Sequence, residues 1–112
     1  MNGVITSEFV VPAVHASLAG HFPGQPVVPA VLLLDAALAA SREALHPSGQ
    51  FALRSIPVAK FLQPVLAEQR IELRLRFADI GAAQWRASFE GWRTATLVFE
   101  GSFILSPVDA KP

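Results

Sequence analysis

Hydrocarbon and charge alternate without a break through Arg70-Ile71-Glu72-Leu73-Arg74-Leu75-Arg76-Phe77. A period of two sends four of these side chains to a core and four to water, which makes this the clearest strand in the chain. Gln84 to Glu90 repeats the pattern with Trp85, Ala87 and Phe89 on one face, after a turn-like Asp79-Ile80-Gly81. Thr94 to Leu105 reads as a long last strand with Gly101 as a bulge, and residues 4 to 11, rich in β-branched side chains and closed by Pro12, read as the first. Phe51 to Val65 is strand-like too, interrupted by Pro57 and closed at Pro64.

Between the first and second of these strands the period is lost. Val27 to Ala40 is the most apolar stretch of the chain, and Pro26 and Pro29 sit where prolines are tolerated, before or within a first helical turn. The pattern predicts a helix from about Pro29 to about Leu45, ending near His46-Pro47-Ser48-Gly49. Its first three turns are apolar on every face except at Asp35, so it is expected to be surrounded by protein. One long buried helix and about five strands joined by short turns give an α+β fold, a curved antiparallel sheet wrapped around the helix. Residues 1–105 are read as a single domain and 106–112 as a flexible C-terminal tail.

Composition narrows the function classes. A chain of 112 residues that is 52% hydrophobic carries more apolar material than a small monomer hides, so self-association is expected. Nine basic and nine acidic side chains cancel, which removes the footprint of a nucleic-acid binder. The absence of cysteine excludes disulfides and thiolate chemistry, and three scattered histidines lack a metal-ligand spacing. Val27 to Ala40 is too short for a bilayer span and carries a carboxylate, and the N-terminus lacks the features of a secretory signal, so no membrane association and a cytoplasmic location are expected.

The chemistry concentrates around Asp35. A carboxylate in such apolar surroundings loses hydration that nothing nearby in sequence replaces, which penalises its charged form and makes it a candidate acid. A structural carboxylate paired with a cation is the plain alternative, but Val31, Leu32, Leu38 and Ala39, three and four residues away, offer no partner. His21 supplies a candidate base, and the prolines and glycine between the two stiffen the connection. Acid and base together indicate proton transfer. His15 and His46 have no chemical partner in the pattern and are read as loop or surface residues. Trp85 and Trp92 are read as core or interface anchors, and Arg70, Arg74 and Arg76 as a solvated strand face.

The segment Gly20-His21-Phe22-Pro23-Gly24-Gln25-Pro26-Val27-Val28-Pro29-Ala30-Val31-Leu32-Leu33-Leu34-Asp35-Ala36 resembles the active-site segment of the bacterial β-hydroxyacyl-acyl-carrier-protein dehydratases, which have the hot-dog fold. The family pattern runs His-Phe-x-Gly-x-Pro, then Pro-Gly, then an acid fourteen residues after the histidine, a spacing kept here. Lys60-Phe61-Leu62-Gln63-Pro64-Val65 is a second echo, similar to the family's strand leading into the next turn. The family's glycine after proline is Ala30 in this chain, Ala39 stands where glutamine is frequent, and the acid is aspartate, as in the branch that also isomerises the double bond.

The resemblance implies dehydration of a 3-hydroxyacyl thioester to the trans-2-enoyl thioester. By position, His21 removes the C2 proton, Asp35 protonates the departing hydroxyl, and the Ala30 backbone N–H binds the thioester oxygen, with Phe22, Gly24 and Pro29 shaping the substrate site. It also implies a substrate carried on the phosphopantetheine of acyl carrier protein or on CoA, no metal or redox cofactor, and a homodimer or higher homo-oligomer whose sites take histidine from one subunit and acid from the other. Two rival readings remain. One is a hot-dog acyl thioesterase, which also uses a helix-borne carboxylate, and the other is a catalytically weak acyl-binding subunit.

Overall fold

Residues 3–13, 26–45 and 50–108 are described in the computed structural model of the chain. The elements run β1 (Ile5–Phe9), α1 (Ala30–Leu45), β2 (Phe51–Phe61), β3 (Ile71–Gly81), β4 (Gln84–Arg93) and β5 (Thr96–Pro107). The five strands form one antiparallel sheet in the order β1-β3-β4-β5-β2, leaving β1 and β2 as its end strands. The expected architecture of one helix against a single antiparallel sheet is thus the one observed.

The alternation in β3 sorts as its sequence requires. Ile71, Leu73, Leu75 and Phe77 are buried, and they join Ala87 and Phe89 of β4 and Phe99, Phe103 and Leu105 of β5 in one core. Leu33 and Ala37 of α1 press into that core, and the buried Ser41 hydroxyl between turns donates to the Ala37 carbonyl at 2.8 Å. The helix is not surrounded, however. Val31, Asp35 and Ala39, spaced one turn apart, lie on an exposed stripe opposite the sheet. A sheet of five strands from one chain covers one side of the helix only, and the stripe on the other side is left open.

Several boundaries differ from the sequence reading. β3 continues through Asp79, Ile80 and Gly81, and the chain reverses at Ala82 and Ala83, both at positive φ, 56° and 61°. Two consecutive left-handed residues make the twist-compatible two-residue hairpin, here without the glycine that usually announces it. β2 continues past Pro57, which falls within a register irregularity between Ser55 and Val58, and stops at Phe61; an end strand allows this because one of its sides has no ladder to break. β5 extends through Ser106 and Pro107, residues expected in the tail, because Phe51 pairs with Pro107 and Ala52 with Ser106. Trp85 packs on the core, but Trp92 lies on the outer face of the sheet. There the Arg74 guanidinium sits 4.4 Å from its ring centroid, and its indole N–H donates to Glu90 at 3.1 Å.

Gly101 is not a bulge. It sits in regular register between Phe89 of β4 and Ala59 of β2, and the irregularities of β2 fall between Leu53 and Ser55 and between Ser55 and Val58. Glycine is needed at 101 for space, since a Cβ there would run into the Val58 carbonyl oxygen and lie 2.6 Å from the Phe89 ring. Backbone cannot yield as a flexible side chain does. Gly101→Ala is therefore expected to destabilise the fold by about 1–3 kcal/mol, measured as a lower urea midpoint at unchanged slope.

Among the described residues no helix is long and apolar enough to cross a membrane.

Candidate active site

The start of α1 is fixed by a turn from the far side of β2. The Val28 N–H donates to the Val65 carbonyl at 2.8 Å, the Ala67 N–H donates to Pro26 at 2.8 Å, and Val27 bridges Leu66. The same turn holds the end of the first strand segment. The Glu68 N–H donates to the Val11 carbonyl, and its carboxylate accepts the Ala13 N–H, both at 2.8 Å. Glu68 adopts φ 69°, a left-handed backbone that these bonds sustain. Gln69 closes the turn by accepting from the Leu66 N–H at 2.9 Å, and Arg93 of β4 reaches over to the Pro64 carbonyl at 2.8 Å.

These bonds leave the helix N-terminus with unsatisfied donors. The carbonyl four residues before Ala30 is that of Pro26, already engaged by Ala67, while Leu32 turns back to Pro29 at 3.0 Å. The Ala30 N–H has no acceptor among the described residues, and the aligned peptide dipoles put partial positive charge at the same point. Ala30 forms part of the wall of a cavity of about 250 Å³, with Val27, Leu33, Phe61, Leu62 and Val65 as its apolar lining. An oxyanion on a hydrocarbon chain would find both of its requirements there.

The structure places the expected site residues unevenly. Pro29 and Ala30 stand at the helix start beside the cavity. Asp35 follows five residues later, about 7.5 Å along the axis at roughly 1.5 Å per residue. It is exposed on the outer stripe of α1 and does not line the cavity, so the burial expected of it is not supplied within one chain. His21, Phe22 and Gly24 lie outside the described residues, as do His15 and His46. The chain that carries His21 leaves the described structure at Ala13 and re-enters at Pro26, both bonded to the turn around Ala67 and Glu68. Reading for chemistry alone had missed the apolar wall, Val27, Leu33 and Phe61 to Val65; its signal was the second motif, Lys60 to Val65.

A helix laid on a five-stranded antiparallel sheet, with its N-terminus at an apolar cavity, defines the hot-dog class. Solved structures agree on the fold. The F36A mutant of the fluoroacetyl-CoA-specific thioesterase FlK, in complex with fluoroacetate and CoA, has a TM-score of 0.78 over 96% of this chain and 94% of its own, at 11% identity. The dehydratase heterocomplex ApeI:P from Xenorhabdus doucetiae gives 0.69 over 92% and 87%, at 19% identity. The family model described as ApeI dehydratase matches residues 2–100, and the chain belongs to that ApeI-like family.

Curated relatives point the same way. The 3-hydroxyacyl-[acyl-carrier-protein] dehydratase FabZ of Myxococcus xanthus (strain DK1622) is 36% identical over 101 residues, covering 80% of this chain and 63% of that protein. FabZ of Chlamydia trachomatis serovar D is 35% identical over 96 residues, covering 78% and 63%. The chain thus spans a little under two thirds of the length of the relatives it matches.

Proposed function

We infer that this protein is a cytoplasmic dehydratase that converts a 3-hydroxyacyl thioester, carried on the phosphopantetheine of acyl carrier protein or on CoA, to the trans-2-enoyl thioester. The observation that carries the reading is the start of α1. It puts an unpaired N–H, at Ala30, into the wall of an apolar cavity, on the segment that joins His21 to Asp35.

The chemistry needs these parts together. The C2 proton of a thioester is far too weakly acidic for imidazole unless the oxygen that gathers the negative charge is held. His21 takes that proton as the C2–H bond breaks, and the Ala30 N–H with the helix dipole holds the thioester oxygen. The C2=C3 bond forms as the C3–O bond breaks, and Asp35 gives its proton to the leaving hydroxyl, which departs as water. Returning the His21 proton to Asp35 completes the cycle without a metal or a redox cofactor.

The exposure of Asp35 supports a site shared between two subunits, in which a second hot-dog chain closes over the stripe of Val31, Asp35 and Ala39. A homodimer is the simplest such assembly. The Xenorhabdus relative is a heterocomplex, so a non-identical subunit is the second reading.

The test offers 3-hydroxyacyl thioesters of several chain lengths, on both carriers, and follows the conjugated enoyl product by ultraviolet absorbance. Enoyl formation is expected. Release of free thiol without enoyl absorbance would instead identify a thioesterase, and tight acyl binding with neither product an acyl-binding subunit.

A further inference from the structure

Arg93 spends its guanidinium on neutral oxygens, and we propose that it is a positioning residue for the reaction: it clasps the loop of residues 64–69 in the shape that points the Ala30 N–H at the thioester oxygen. The inference rests on the dehydratase reading and brings to that site a side chain from the far end of β4.

The placement of Arg93 is unusual for a cation. It ends β4 with the parity of Ala87, Phe89 and Gly91, all buried, so a half-buried guanidinium takes the last position of a face otherwise given to the core. Partial loss of water there leaves its donors in need of acceptors close by. Among the described residues the ion pairs are those of Arg70 with Glu8 and Arg74 with Glu72, and no carboxylate meets Arg93. Its Nη1 donates instead to the Pro64 carbonyl at 2.8 Å and to Gln69 Oε1 at 3.2 Å.

Those two oxygens belong to the two ends of one short loop. Gln69 Oε1 also accepts the Leu66 N–H at 2.9 Å, so a single nitrogen of Arg93 ties the first residue of the loop to its last. Between them lie the groups that hold the start of α1: the Val65 carbonyl accepts from Val28, two residues before Ala30, and the Ala67 N–H donates to Pro26. Pro64 and Val65 are cavity wall as well. Glu68, in the same loop, keeps φ at 69° without the freedom of glycine, and a loop carrying such a residue relies on bonds from outside to keep its shape. With the clasp open, the wall and the first turn of the helix both shift against the bound acyl chain.

An oxyanion donor acts through placement. Its hydrogen bond is strongest once the oxygen has gathered charge, so a displaced donor lowers rate more than it weakens substrate binding. Arg93→Met keeps the stem and removes the clasp, and it is expected to lower kcat by about tenfold with KM changed by less than about threefold. Gln69→Met leaves the cation in place and opens the clasp from the other side. It should cost rate to a similar extent, and the double variant should lose no more than the worse single, because both act through one loop. Arg93→Lys should recover most of the rate, since one nitrogen serves both oxygens.

Steady-state kinetics on carrier-protein and CoA substrates, read beside amide hydrogen exchange of the same proteins, tests this. In Arg93→Met the Val28 and Ala67 amides should exchange about tenfold faster, while those of Phe89 and Phe103 in the central strands keep their rates. Unchanged exchange at Val28 and Ala67 would overturn the proposal. So would faster exchange with kcat untouched, which would make the clasp a purely structural tie, and so would a loss confined to KM for the carrier-protein substrate, which would make Arg93 a docking cation. If the wild type forms no enoyl product, the dehydratase reading fails on its own, and the exchange result still decides whether Arg93 holds the start of α1.

Discussion

Asp35→Asn is expected to lower kcat by about 10²–10⁴-fold while leaving the thermal midpoint of unfolding almost unchanged. Asparagine keeps the size of the side chain and cannot deliver a proton, so the loss measures general acid catalysis at the C3 hydroxyl. The unchanged midpoint follows from the surroundings of Asp35. Within its own chain it makes no hydrogen bond or ion pair with the described residues, and the amide keeps its volume where a second subunit covers it, so the expected shift in stability is about 0.5 kcal/mol or less.

His21→Ala should lower kcat by a similar factor through loss of the base. Steady-state kinetics beside calorimetry of the same samples separates the two roles of Asp35. A drop in stability without a drop in rate would make it a structural residue and end the dehydration reading.

Phe99→Ala is expected to destabilise the fold by about 3–5 kcal/mol, a large share of the roughly 5–15 kcal/mol that holds a domain of this kind together. Phe99 is fully buried and ties the sheet together across three strands. Its ring centroid lies 6.4 Å from Phe9 of β1, 6.3 Å from Phe61 of β2 and 6.1 Å from Phe89 of β4. Below it Gly91 leaves room, since a Cβ at that position would run into the Phe99 ring. Removing the ring empties a space that the surrounding strands can only partly collapse to fill.

At about 4–8 °C per kcal/mol, the thermal midpoint should fall by at least about 12 °C. Phe61 leans on Phe99 and also lines the cavity, so acyl binding should weaken as well. A loss below about 1 kcal/mol would show that the ring cluster is not the centre of the core.

What the residues disclosed and what they withheld follow a physical division. The alternation in Arg70 to Phe77 and the apolar run after Pro29 are local signals, and both elements appear where those signals lie. The bulges of β2 are set by register against β5, so a glycine at 101 misdirected attention to the wrong strand. The hairpin at Ala82 and Ala83 uses alanines in a conformation that glycine usually marks, which left no trace in composition.

Ala30 opens α1 at the wall of the cavity, and Phe61 to Val65 of the second motif supply another part of that wall. The surroundings of Asp35 were misread for a reason of a different order. An all-apolar helix can be covered by its own chain or by another, and hydrophobicity does not distinguish the two.

The turn around Ala67 and Glu68 has a consequence for the origin of α1. Val11, Ala13 and Pro26 are all moored to it, so the stretch between Ala13 and Pro26 starts and finishes on the same post. The bonds to the Val65 carbonyl and from the Ala67 N–H hold Val28 and Pro26, so the position from which α1 sets out is governed by the connection between β2 and β3, far from it in sequence, and a change in that connection is expected to re-aim the helix.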